Sequence, residues 1–257
     1  LPKVAYLDPR PAYETTARPI ADSVNIPLAE LGQRVYELPK KTETVVVAAE
    51  ELLAGETIDR LREMGWKCRI ESHYAYREVE TAGRLWSPNG FLESVLPSVE
   101  GTNALDLACG VGREAVYLAS CGWTSVGADI LPDALERGSL LRSRYRQIEE
   151  VSFQQVDLTR SFEMLDSWQQ RFDLVCCFFF LDRTLLGLVP QMLRPGGHVL
   201  IETFTTAHRE RFGKPDSDKL VLQPDELRSL LPQIKIRSYE EGLHEERITA
   251  RLHGTLE

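Results

Sequence analysis

Across residues 104–203, strand-length apolar runs recur between stretches whose apolar residues follow a helical period. Residues 104–107, 124–128, 151–156, 174–179 and 197–203 are short and apolar, and 113–121, 132–146 and 184–193 carry the helical spacing. The run 174–181 contains no charged residue, so a strand built from it must be covered on both faces. Strands of that kind, linked by helices, pair in parallel with right-handed crossovers, which predicts a doubly wound α/β sheet. A helix over 91–96 precedes it. Residues 235–240 and 247–252, with a short Gly-containing turn between them, read as an antiparallel hairpin on the sheet edge.

The first 70 residues repeat the α/β theme on a smaller scale. Residues 4–7, 44–48 and 66–70 read as strands. Residues 28–38, with Leu28, Leu31, Val35 and Leu38, and 56–64, with Gly65 at the C-cap, read as helices. Mixed polar and aromatic residues then break the pattern. The expected organisation is a small α/β domain over 1–71, a linker over 72–84 and a larger domain over 85–257.

Charge and cysteine usage exclude several classes. With 30 Lys and Arg against 39 Asp and Glu the chain carries a net charge of −9, so it lacks the overall positive field that holds a nucleic-acid backbone, and nucleic acid is not an expected partner. The longest apolar run is far short of the roughly 20 residues of a membrane-spanning helix. Five cysteines form no disulfide framework, and the cytoplasm is the expected compartment. Cys176 and Cys177 are neighbours on one strand and point to opposite faces, and no His/Cys cluster has ligand spacing, so no metal is expected.

The richest motif is Leu105-Asp106-Leu107-Ala108-Cys109-Gly110-Val111-Gly112-Arg113, between a predicted strand and a predicted helix. Glycines at such a turn let the backbone approach a ligand and aim amide donors at it. Asp129 ends the next strand, roughly 20 residues on, where a carboxylate can accept both hydroxyls of an adenosine ribose or cap the following helix. Val156-Asp157-Leu158 closes the third strand, Phe172-Asp173-Leu174-Val175 opens the fourth, and Arg194-Pro195-Gly196-Gly197 leads into the fifth.

In that order and spacing, over about 85–252, the chain resembles the class I S-adenosyl-L-methionine (SAM)-dependent methyltransferases, with Ala108 in place of the family's first loop glycine. The resemblance implies a Rossmann-like methyltransferase sheet and cofactor contacts from Asp106, Ala108, Cys109, Gly110, Gly112, Arg113, Asp129, Ile130, Asp157, Leu158 and Phe178. Arg84-Leu85-Trp86-Ser87-Pro88-Asn89, Gly112-Arg113-Glu114-Ala115 and Glu202-Thr203-Phe204 with Arg211-Phe212-Gly213-Lys214-Pro215 are similar to the tellurite-resistance-type small-molecule methyltransferases. That likeness implies a small, soft methyl acceptor, such as a thiol or a selenium or tellurium species. Convergence on the C-terminal edge of the strands puts Trp86, Phe180, Arg183, Phe204 and Arg209 around the acceptor. His244, in a Leu-His segment that aligns with one near the acceptor in those relatives, and Asp182, at the end of the Phe178-Phe179-Phe180 strand, are the expected catalytic residues; Asp182 can equally cap the helix after it.

Residues 6–70 resemble a rhodanese-like domain through Leu7-Asp8-Pro9-Arg10-Pro11 and Ser23-Val24-Asn25-Ile26-Pro27-Leu28. An active rhodanese places its persulfide-forming cysteine after the Val-rich strand. This chain has Ala48-Ala49 there, followed by Glu50 and Glu51, which cannot stabilise a thiolate. Cys68 reads as a buried small hydrophobe. The expected protein is a methyltransferase fused to a sulfurtransferase fold without its chemistry, which leaves that domain free to meet a protein partner. A methyltransferase for tRNA or protein, and a non-catalytic SAM-binding or sulfur-sensing module, are the alternatives.

Overall fold

The computed structural model describes residues 2–77, 83–145, 150–160, 165–231 and 233–257. It divides into two compact units, Leu1–Ser87 and Pro88–Glu257.

In the first unit β1 (Tyr6–Asp8), β2 (Ser23–Asn25), β3 (Thr44–Ala48) and β4 (Lys67–Glu71) form an all-parallel sheet in the order β2-β1-β3-β4, with α1 (Ala12–Ala17) and α2 (Glu51–Glu63) in the connections. Helix α2 starts five residues before the predicted 56, because Ala54, Thr57, Ile58 and Leu61 already form one buried stripe over Leu7, Val45 and Val47. The helix predicted over 28–38 is two short 3₁₀ turns, Leu28–Glu30 and Val35–Glu37. Arg34 turns inward between them and binds Glu37 through two hydrogen bonds of 2.6 and 2.7 Å and Glu30 at 2.9 Å, a buried charge cluster that an amphipathic helix could not accommodate. The segment read as a linker is partly built into this unit. Ala21 N–H donates to Ala75 O at 2.8 Å and Arg77 N–H to Pro19 O at 3.1 Å, while 78–82 lie outside the described residues.

The second unit opens with α3 (Gly90–Val95), capped by Asn89, whose Oδ1 accepts from the N–H groups of Phe91 and Leu92. Five parallel strands follow: β5 (Asn103–Leu107), β6 (Thr124–Asp129), β7 (Val151–Gln155), β8 (Phe172–Phe178) and β9 (Leu193–Phe204). They alternate with α4 (Arg113–Ser120), α5 (Pro132–Ser143), α6 (Leu165–Trp168) and α7 (Arg183–Met192). The predicted end of α5 at Arg146 lies outside the described residues, and α6 supplies a crossover helix that the apolar pattern did not show. After α8 (Thr206–Phe212) and α9 (Glu226–Ser229), β10 (Ile234–His244) and β11 (Arg247–Leu256) complete a seven-stranded sheet in the order β10-β11-β9-β8-β5-β6-β7.

The hairpin is antiparallel as expected, but its turn is Glu245-Glu246, with Glu245 at φ 56°, and Gly242 sits inside β10. Because β11 runs antiparallel to β9, pairing Thr249 with Phe204, the hairpin tip residues His244 and Arg247 share an edge with the C-terminal ends of the parallel strands. Strand alternation puts Val175, Cys177, Val199 and Ile201 in one apolar core with Leu185, Leu186 and Val189 of α7. Cys176 and Leu200 lie in the opposite core, with Phe91, Leu92 and Trp123. The two adjacent cysteines therefore face apart. All five cysteines are free, no three His, Cys, Asp or Glu gather as metal ligands among the described residues, and no described helix is long and apolar enough to cross a membrane.

Candidate active site

The turn from β5 to α4 is built from alternating left-handed residues, Ala108 (φ 55°), Gly110 (φ 53°) and Gly112 (φ 66°). Two of these positions explain their glycines differently. A Cβ on Gly110 would meet nothing within 4 Å, so the backbone there faces open space, as a ligand cradle requires. A Cβ on Gly112 would stand 2.3 Å from the ring of Phe153, which rises from β7 and also excludes side chains at Gly127 and Gly138. Gly112 is thus fixed by packing beneath the loop. Cys109 is buried in the loop, its N–H donating to Ala128 O at 3.0 Å, and burial among Asp106, Asp129 and Glu114 pushes its thiol up, so it is no nucleophile.

Asp129, at the end of β6, is 8% exposed. Its Oδ2 accepts from Gly110 N–H at 2.8 Å and its Oδ1 from Leu131 N–H at 2.9 Å. Those bonds fix the carboxylate plane while leaving each oxygen a second lone pair. Beside it the apolar side chains of Ile130 and Leu131 are half exposed. Asp157 lies further along the same edge, holding Thr159 through Oδ1 at 2.6 Å, and Leu158 is buried in the core. Arg113 is half-buried at the start of α4.

Beneath the loop lies a chain of polar groups that the sequence reading largely missed. Asp106 is fully enclosed, its Oδ2 has no partner among the described residues, and burial, followed by the nearby Glu114, pushes its carboxyl well above the usual range. Glu114 accepts from Asn89 N–H at 3.0 Å, and Asn89 Nδ2 donates to Glu202 Oε2 at 2.9 Å. Glu202 Oε1 accepts from Thr249 Oγ1 at 2.8 Å and lies 3.0 Å from Arg251 Nε. Asp106, Asn89, Glu114 and Glu202 stand in the quoted motifs, but nothing there links them to one another or to Thr249 and Arg251. Their role needs the β9–β11 pairing of Glu202 with Arg251, across some fifty residues of sequence.

At the acceptor end the structure redistributes the expected residues. Phe179, not Phe180, is the exposed ring: it follows β8 with φ 58° and packs 5.4 Å from Phe204 beneath the Arg247 guanidinium at 4.7 Å. Phe180 packs on the α7-side core, and Phe178 on the opposite core. The aromatic row continues from Phe204 to His208 (4.5 Å) and Phe212 (4.7 Å). His208 Nδ1 accepts from Ile248 N–H at 3.0 Å, so Nε2 carries the ring proton, and burial and Arg247 hold the imidazole neutral to lower pH than usual. His244, at the hairpin tip, shares a sheet face with Glu202, Phe204 and Arg251 through the strand register. Its Nε2 is buried with no partner among the described residues, and burial followed by Arg251 lowers its pKa.

The remaining candidates are occupied elsewhere. Asp182 caps α7, its Oδ1 accepting from Leu185 N–H at 2.8 Å. The Arg183 guanidinium is clamped by Glu226 and the carbonyls of Lys219 and Val221. Arg209 pairs with Asp218. Trp86 is fully buried and belongs to the first unit.

A family model described as a methyltransferase domain matches residues 98–235, more than half of the chain. The chain belongs to this methyltransferase family. It is 27% identical over 154 residues to the ubiquinone biosynthesis O-methyltransferase of Alkalilimnicola ehrlichii, a match covering 52% of this chain and 60% of that relative. Among solved structures, one titled for the conversion of a disulfide bond into a thioacetal group during echinomycin biosynthesis superposes with a TM-score of 0.52 at 22% identity, over 66% of this chain and 81% of that one. TehB from Haemophilus influenzae superposes at 0.54 and 17% identity, over 66% and 63%. The N-methyltransferase NodS from Bradyrhizobium japonicum, in complex with S-adenosyl-L-homocysteine, does so at 0.50 and 18%, over 65% and 84%. The second unit carries a methyltransferase domain on a Rossmann-like sheet, and the chain spans about 60% of the length of the ubiquinone biosynthesis relative it matches.

Proposed function

We propose that this methyltransferase acts on a small soft nucleophile that arrives protonated, a thiol above all. Three carboxyl groups crowd one another beneath the loop, Asp106, Glu114 and Asp129, and their mutual repulsion is relieved by a cationic ligand. SAM brings such charge, together with a ribose diol suited to the fixed Asp129 carboxylate and an adenine suited to the exposed Ile130 face. When bound it supplies a sulfonium-activated methyl group. Gly110 then lies beneath the methionine portion, and Asp106 faces its charge.

The observation that carries the acceptor class is His244 Nε2, buried without a partner among the described residues, on an imidazole whose pKa burial lowers and which shares a sheet face with Phe204 of the Phe179–Phe204 row. A neutral imidazole nitrogen can take a proton from a thiol as the nucleophile forms, which a selenium or tellurium oxyanion would not need. Aromatic rings are favourable neighbours for sulfur. The remaining acceleration comes from alignment of acceptor and methyl group. The disulfide chemistry in the echinomycin neighbour's title agrees with a sulfur acceptor. A phenol is the second reading, favoured by the O-methyltransferase relative and by the same aromatic row.

Mass spectrometry of methyl transfer from SAM to a panel of small thiols, phenols, selenite and tellurite tests this. Thiols should lead, with the wild-type rate on them reduced in His244→Gln. Phenols leading would replace the thiol reading with the second one.

For the first unit we propose a rhodanese-like fold without sulfurtransferase activity, serving binding or stability. Support comes from Ala48 and Ala49 running directly into Glu50 and α2, and from Cys68, whose thiol is pushed up by burial. Thiosulfate and cyanide should yield no thiocyanate; turnover abolished by Cys68→Ser would make that cysteine a nucleophile.

A further inference from the structure

Far from the methyl-transfer edge, the second unit carries a cluster of basic side chains that the proposed reaction does not use. His198 lies six residues before Phe204 on β9, about 20 Å along the strand at its usual rise. Its Nδ1 stands 2.9 Å from Nε2 of His253 on β11, with the rings stacked at 5.2 Å and 20°. The β10–β11 register slips between Ile236, paired with Gly254, and Ser238, paired with His253, leaving Arg237 as an extra residue between them. A bulge of this kind re-aims a side chain. Here Arg237 Nε donates to Thr255 Oγ1 at 3.1 Å, on the face that carries the histidines. The three basic groups line an open cleft of about 580 Å³ together with Ser98, Thr255 and Glu257.

We propose that this cleft is a binding site for a phosphate group, with Arg237, His198 and His253 as its donors. Three cation-capable groups held this close repel one another as they ionise, with Glu257 as the carboxylate at the cleft. Burial and then Arg237 lower His198, while burial, His198 and Arg237 bring His253 down to about 4. In the free protein the pair is therefore neutral at pH 7, shares one N–H between the rings, and still offers one outward ring N–H. An oxyanion relieves the repulsion. A carboxylate has two oxygens, which one guanidinium fork engages, whereas a phosphate has a further terminal oxygen for an imidazole donor. The carboxylate facing the cleft, Glu257, is bound by Lys235 at 2.5 Å. The ionisable groups facing the pair are Arg237 and Lys235 from β10, Glu257 beyond β11, and the two histidines themselves; the turn after α3 contributes only the hydroxyl of Ser98.

The sign of the pH dependence follows. Bound phosphate raises the histidine pKa values, so binding takes up a proton and strengthens as pH falls. Calorimetry of inorganic phosphate and of phenyl phosphate with the full chain, at pH 8 and pH 6 and in two buffers of different ionisation heat, tests the site. With affinity expressed for the dianion, since the probe's second ionisation also lies at about pH 6–7, at least one probe should bind about tenfold more tightly at pH 6, with proton uptake beyond the probe's own. A preference for phenyl phosphate identifies the ligand as a monoester, and a preference for inorganic phosphate identifies it as the free ion. Arg237→Gln and His253→Gln should each abolish the pH-dependent binding, with SAM affinity confirming that the variants are folded. If either variant fails to fold, proton uptake in the wild type decides. No saturable binding by either probe, binding without proton uptake, or binding that survives both substitutions would overturn the proposal.

Discussion

Both units end parallel strands at a loop, and the two loops do opposite things. After β5 the chain turns through three left-handed residues, leaves Gly110 open and holds Asp129 by two backbone amides, so that carboxylate is fixed in one orientation. After β3 it passes through Ala48 and Ala49 directly into α2. The strand-end acid of that unit, Asp8, is closed off by the Arg10 fork, with bonds of 2.9 and 2.7 Å. The parallel sheet supplies a place for chemistry in both cases. The two strand-end carboxylates differ in what holds them, backbone amides for Asp129 and an internal guanidinium for Asp8.

The contrast can be broken on its structural side first. Asp8→Ala leaves the Arg10 guanidinium buried without its partner and should cost about 3–5 kcal/mol in urea denaturation. A loss under 1 kcal/mol would mean that the pair does not hold the first unit together. In the second unit Gly112→Ala combines a left-handed alanine with a 2.3 Å clash against Phe153 and should cost about 3 kcal/mol. The double variant with Phe153→Ala should cost less than the sum of the single changes, and additive costs would remove the packing explanation.

His244→Gln should lower kcat on thiols about 100-fold, the lower range for removing a general base. Because burial lowers the His244 pKa, the wild-type profile should stay flat as pH falls to about 6.5, the ordinary histidine value, and decline only below it. A decline beginning above pH 7 would show that another group takes the proton. Smallest of all, Ala108→Gly relieves a left-handed alanine and should stabilise the protein by about 0.5–1 kcal/mol without loss of SAM affinity.

The parallel sheet was readable because buried strands of valine and leucine leave a local mark, and the glycine loop because turn chemistry is local. Helix 28–38 misled because Leu28, Leu31, Val35 and Leu38 repeat at helical spacing, whereas Arg34 and Glu37 are buried as an ion pair that only tertiary structure reveals. The acceptor end was the least readable part. Whether Phe178, Phe179 or Phe180 reaches the edge turns on one left-handed residue, and Arg183 and Arg209 were given to a substrate when Glu226 and Asp218 already hold them. The run from Asp106 through Asn89 to Arg251 joins four separate segments, so no local pattern announces it.

The comparison between the two strand ends is tested most directly by titrating SAM into the wild type, Asp129→Ala and Asp8→Asn and measuring heat. One binding site is expected. Asp129→Ala should weaken it by about 1.5–3 kcal/mol, as for lost hydrogen bonds to a charged group, while folded Asp8→Asn binds as the wild type does. Unchanged affinity in folded Asp129→Ala, or a second SAM site lost with Asp8, would contradict the account.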